Sequence, residues 1–247
     1  MITHREFKLL LRPERFPTRR SVLDFNAMLE DACRRLKVRY EPFDPIDSQL
    51  RVVQFYDTGN RALRNNELIF RIRQLREGGW PDDSWEVTFK ARHHDRAKAE
   101  AFDSSSTFTN QQKKKKFKEE LLRGDSPGTI TSIYSNNCIL ESPELAMELP
   151  LRRLADFFPH LKSLNLDLDQ TLEIVGRAKV FEIEAKLGNL FFGHHTTATT
   201  TLAVWARPVP DRFEPLIAEF GWSYHPVADP KGQEADRAAD AARRRPR

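Results

Sequence analysis

The chain has 247 residues, of which 39% are hydrophobic, 31% charged and 10% aromatic, enough material for one large domain with a substantial core. Lys and Arg total 40 against 36 Asp and Glu, a formal charge of +4, which permits an anionic partner without demanding one. Two cysteines are too few for a disulfide framework or a structural zinc site, and no window reaches the apolar length of a membrane helix.

Residues 4–11 alternate before Pro13: His4, Glu6 and Lys8 fall on one face of a strand, with Phe7 and Leu9 on the other. A helix is predicted over residues 18–38, where Val22, Phe25, Leu29, Ala32 and Leu36 recur at helical spacing. Cys33 falls on the same stripe and reads as a core residue. Pro42 and Pro45 signal a turn.

Four strands are predicted next. The first is residues 51–57. The second, residues 67–75, sets Leu68, Phe70 and Ile72 against Arg71 and Arg73. The third, residues 85–92, sets Trp85, Val87 and Phe89 against Glu86, Thr88, Lys90 and Arg92. The fourth, residues 114–122, sets Lys116, Lys118 and Glu120 against Phe117, Glu119 and Leu121.

Residues 93–112 lack periodicity and read as a mobile connection. Ser142-Pro143-Glu144 has helix-start chemistry, Pro150 divides that helix, and Pro159 closes its second piece. Residues 172–186, 196–207 and 216–225 give three more strands. In the last, Phe220, Trp222 and Tyr224 oppose Glu219, Gly221 and Ser223. An Ala-rich helix and a basic tail, disordered rather than a nucleic-acid arm, are expected over residues 233–247, after a single domain spanning 1–232.

About eight strands with few helices suit an α+β fold built on a closed antiparallel β-barrel. The polar faces of its strands carry an unusual residue set. Glu6, Lys8, Arg71, Arg73, Lys90, Arg92, Lys118, Glu120, Arg177, Lys179 and Glu219 would point into one lumen. So many cations cannot be buried without counter-charge. A phosphate chain would supply it, since guanidinium forks match phosphate oxygens. The carboxylates become useful if they hold a hard divalent cation. The chemistry implied is attack of water on a phosphoryl group, driven by positioning and charge neutralisation. With only 10 Gly and no glycine-rich phosphate loop, side chains must do the holding.

His4-Arg5-Glu6-Phe7-Lys8 resembles the opening Glu-x-Glu-x-Lys strand of the CYTH, or triphosphate tunnel metalloenzyme, superfamily. Phe55-Tyr56-Asp57-Thr58, Leu63-Arg64, Phe70-Arg71-Ile72-Arg73 and Trp85-Glu86-Val87-Thr88-Phe89-Lys90 follow in the family's order. The resemblance implies an eight-stranded tunnel that binds triphosphate or polyphosphate, with Mg²⁺ or Mn²⁺ held by glutamates.

Carried over by position, Lys8, Arg71, Arg73, Lys90, Lys118, Arg177 and Lys179 would grip phosphate. Glu6 and Lys8 would be catalytic, and Glu6, Glu120 and Glu219 would hold the metal. Two departures weaken metal-dependent catalysis. His4 replaces the family's first Glu, and Gly221 stands where a partner acid to Glu219 is expected. Glu182-Ile183-Glu184 has the spelling of such a pair but falls a strand early.

A metal-dependent triphosphatase and a non-catalytic polyphosphate-binding module are therefore both expected functions. A small phosphorylated molecule is the expected partner, with neither a membrane nor a nucleic acid implied. Met1 to Glu6 lacks the apolar core of a secretory signal, so a cytoplasmic location is the expectation.

Overall fold

A computed structural model describes residues 1–78, 80–108, 113–126, 128–142, 149–193, 196–210 and 212–226. The expected Ser142-Pro143-Glu144 helix start and the C-terminal helix and tail lie wholly or largely outside them. Ten strands and four α-helices occur among the described residues, a mostly-sheet α+β fold. Hydrogen bonding orders the strands β3-β4-β6-β5-β1-β10-β9-β8-β2-β7, with β3 also paired to β2, so the pairing order forms a ring. The chain divides into two compact units that interleave in sequence: residues 1–49, 119–132 and 181–247, and residues 50–118 and 133–180.

In the first unit, β1 (His4–Leu11) pairs antiparallel with β10 (Arg212–Tyr224), β10 with β9 (Thr196–Val209), and β9 with β8 (Val180–Phe192). One face of these strands is apolar, and helix α1 (Arg19–Arg35) covers it. Val22, Phe25 and Leu29 pack against Phe16, Ala185, Leu202 and Phe220, with the Phe25 and Phe220 rings 5.3 Å apart. Cys33 is buried with Leu190, Ala198 and Tyr224, as the helical stripe predicted. Leu36 does not join the core. It lies past the last helical turn and is 75% exposed.

The second unit is built on β3 (Leu68–Glu77), which pairs antiparallel with β4 (Trp80–His93) and with residues 50–56 of β2 (Arg39–Thr58); β4 pairs in turn with β6 (Ile130–Ser142). Leu68, Phe70, Ile72, Val87, Phe89, Cys138 and Leu140 form its apolar face. Helix α4 (Leu151–Phe157) closes over that core with Leu151, Leu154 and Ala155, and the chain beyond it adds Phe158 and Leu161, all fully buried. Phe158 reaches within 4.5 Å of the Phe89 ring. Each such side chain contributes about 1.5–3 kcal/mol. Because alternate residues point to opposite faces, this packing turns Arg71, Arg73, Glu86, Thr88 and Lys90 the other way.

Four expectations are corrected. Pro42 and Pro45 do not make a turn but lie within β2, in a stretch that is mostly exposed and has little need of their missing donors. The unpredicted strand β6 carries Ser135, Asn136 and Asn137, residues disfavoured in strands, yet Ser135 and Asn137 are buried on one face and Cys138 and Leu140 on the other. The connection after β4 contains a short helix, α3 (Arg96–Ala101), capped by Asp95, whose Oδ1 accepts from the Ala97 amide at 2.8 Å. The strand expected over residues 172–186 is broken into β7 (Leu172–Ile174) and β8 by a 3-10 turn, Val175–Arg177, with Gly176 at φ 64° and Arg177 at φ 51°. Left-handed backbone at two successive residues ends a strand. The strand over residues 114–122 is present as β5 (Lys113–Arg123), and Pro150 and Pro159 bracket α4 as read.

Candidate functional site

The second unit gathers cations on one sheet face. Register places Arg71 opposite Thr88 and Phe55, Arg73 opposite Glu86 and Val53, and Lys90 opposite Ile69 and Asn137. Arg51 and Arg92 fall on the same face by alternation, as does Glu141. The Arg71 guanidinium donates to Thr88 Oγ1 at 3.3 Å. Arg73 Nε donates to Glu86 Oε1 at 2.8 Å, and its terminal nitrogen bonds the same oxygen. Burial alone would raise the Glu86 carboxyl, but Arg73, then Arg71 and Arg51, outweigh it and hold the group below the ordinary carboxylate range. Glu86 therefore stays ionised beside the arginines.

The motif Tyr56-Asp57-Thr58 has a structural task in this unit. Asp57 Oδ1 accepts from the Thr58 and Leu63 amides at 2.8 and 2.9 Å, and Oδ2 from the Arg64 amide at 3.0 Å. Thr58 Oγ1 accepts from the Ala62 amide at 2.8 Å. Together they tie down the start of α2 (Ala62–Asn65), whose N–H groups have no earlier helical carbonyl to meet.

Arg177 and Lys179 are exposed, the first on the 3-10 turn and the second just after it, not on a strand face. Lys118 is half-buried on β5.

The first unit assembles acids around Lys8. Glu6, Lys8 and Leu10 share a face with Ser223, Gly221 and Glu219, their register partners on β10. Lys8 Nζ donates to Glu219 Oε1 at 2.7 Å and lies 3.8 Å from Glu6 Oε1. Burial pulls the ammonium pKa down, yet the fields of Glu6, Glu219 and Glu120 and the bond to Glu219 more than offset it, raising it well above its ordinary value. Glu120 is 2% exposed. On the opposite face of β1, Arg5 Nε donates to Glu119 Oε2 at 2.7 Å, so adjacent glutamates of β5 serve opposite faces, as their alternation predicted.

Gly221 is opposite Lys8, where a Cβ would lie 2.9 Å from the Phe7 carbonyl and 3.8 Å from Lys8 Cγ. The expected partner acid is absent at a position where a Cβ would crowd the backbone of β1. His4 bonds Thr3 Oγ1 at 2.9 Å, and its ring lies 4.1 Å from that of His225.

Register also resolves Glu182-Ile183-Glu184. Glu184 pairs with Ala203, which pairs with Glu219, which pairs with Leu10. Glu184 is thus level with Glu219 on the Lys8 face, and Glu182, 4% exposed, is one position along. Reading in chain order hid them. The strict Glu-Ile-Glu alternation was the available signal. Arg51 was missed because residues 52–54 are all buried and mask its strand period.

A hard divalent cation needs several oxygen ligands converging at about 2.0–2.6 Å. Among the described residues no three His, Cys, Asp or Glu side chains are grouped to hold a metal, and Glu6 and Glu219 meet the Lys8 ammonium instead. The expected set Glu6, Glu120 and Glu219 does not fit a metal centre in this arrangement. No helix among the described residues is long and apolar enough to cross a membrane.

No protein-family model matches the chain, and no curated protein matches it. Solved structures similar to it include a proposed adenylyl cyclase from Hippeastrum described as having a dominant triphosphatase activity. That likeness has a TM-score of 0.41 at 11% identity and covers 97% of this chain and 86% of that one. A proposed adenylate cyclase from Bacillus halodurans has a TM-score of 0.38 at 11% identity, covering 98% and 90%. Another from Vibrio parahaemolyticus has a TM-score of 0.33 at 13% identity, covering 98% and 88%.

Proposed function

We propose that this protein binds a triphosphate or longer phosphate chain through Arg71, Arg73 and Lys90. The observation that carries the reading is the shared face of β3 and β4, where these three cations stand on a rigid sheet with Thr88 among them. Guanidiniums present paired donors to phosphate oxygens, and an ammonium adds an adaptable point charge. The motifs that resemble the triphosphate tunnel superfamily include these same residues, in the same order. Lys118, Arg177 and Lys179 are assigned supporting contacts, weaker where the side chain is exposed, because water screens them.

Titration calorimetry with tripolyphosphate, pyrophosphate and orthophosphate tests this. Affinity rising with chain length supports it, and equal or absent binding of all three refutes it.

A second reading, hydrolysis of the bound chain, is favoured by the acids that share the Lys8 face. In that reading Glu6 and Lys8 are the catalytic pair. Because no three acids among the described residues are grouped to hold a divalent metal, we assign no metal-borne step. Phosphate release from tripolyphosphate, measured with and without Mg²⁺ or Mn²⁺ alongside the calorimetry, separates the two. Turnover under either condition that fails in Glu6→Gln supports hydrolysis, whereas binding without turnover leaves the protein a binding module.

A further inference from the structure

In the first unit a cavity of about 540 Å³ opens beside the start of α1, on the sheet face opposite Lys8. Its floor is Ile183, Ala185, Val204 and Ala206 on β8 and β9, and Val22 and Phe213 flank it. The space has a local cause. Ala185 and Ala206 present only methyl groups, whereas Leu187 and Leu202 fill the adjoining core. The volume lies in the range of small-molecule sites, and a hollow lined this way favours apolar atoms over water. Leu23 and Phe213 stay 38% and 42% exposed at its mouth.

The rim is cationic. Arg19 and Arg212 line the same cavity, both exposed, and among the described residues neither takes part in a salt bridge. Two nearby acids bond other arginines, although Glu214 also lies within the field of Arg212. Asp24 bonds Arg20 at 2.9 Å, and Glu214 bonds Arg207 at 2.5 Å. Thr18 and Ser48 add hydroxyls.

We infer that this cavity binds a single-chain amphiphile with an anionic head, the chain lying on Ile183, Ala185, Val204 and Ala206 and the head meeting Arg19 and Arg212. The site is separate from the phosphate-binding residues and does not depend on that reading. Carboxylate and phosphate heads share the required chemistry, so both are tested.

The full-length protein is titrated calorimetrically with decanoate, decyl phosphate and decanol. One anion or both should bind one to one, about tenfold more tightly than the alcohol, the factor that a retained charge contact supplies. The double variant Arg19→Gln/Arg212→Gln should erase that preference while leaving the alcohol's affinity and tripolyphosphate binding unchanged. Ala206→Phe should abolish binding of all three by filling the space, with far-UV circular dichroism checking that it folds. Should it not fold, the arginine variant, altered only on the surface, still decides. Absence of binding by both anions, an alcohol that binds equally well, or anion binding indifferent to the arginine pair would overturn the inference.

Discussion

Arg73 would meet a phosphate in competition with Glu86, whose carboxylate already accepts from two of its nitrogens. Glu86→Gln should therefore strengthen tripolyphosphate binding several-fold, since a charged acceptor is replaced by a weaker neutral one. Calorimetry on the variant checks this, and weaker binding would show that Glu86 orients Arg73 rather than competing for it.

The same pair sets a pH dependence. Glu86 ionises more readily in the folded protein than at its ordinary value of 4.5, so its contribution to stability is present above that value and fades as pH falls through the lowered one. Urea midpoints followed through the acid range should fall less steeply in Glu86→Gln than in the parent. Identical slopes would remove Glu86 from the acid response. Alternation around Phe70 and Phe89 made the orientation of Arg71, Arg73 and Lys90 legible beforehand. Their partners were not, because which acid meets which arginine depends on register between strands.

At the level of elements, part of the motif serves construction. Asp57 receives three backbone amides and holds the turn into α2. Asp57→Ala should cost about 1–3 kcal/mol or more, because buried donors lose their acceptor. A lowered thermal midpoint checks this, and an unchanged one would mean that water replaces the carboxylate. Gly221 is a packing requirement: Gly221→Val should destabilise the β1–β10 pair by about 1–3 kcal/mol through the approach to the Phe7 carbonyl.

Strands with one dry and one polar face announced themselves by their period, as β3 and β4 did. Strand β6 did not, since burial on both faces lets Ser135 and Asn137 interrupt the pattern. Arg177 was misplaced for a different reason, a left-handed pair of residues that hydrophobic period does not register.

For the molecule as a whole, the α+β class could be read from about eight predicted strands and few helices, and the mostly-sheet architecture of the described residues agrees with it. The grouping of acids could not be read, because Glu184 and Glu219 become level only through the register of β8, β9 and β10. The central claim is that the Arg71, Arg73 and Lys90 face holds a phosphate chain, and it is tested most directly by tripolyphosphate calorimetry on Arg71→Ala and Lys90→Ala, each shown to be folded. Each variant is expected to lose at least about tenfold in affinity, as removal of a charged hydrogen-bond donor from an anion site does; affinities equal to that of the parent in both would contradict the account.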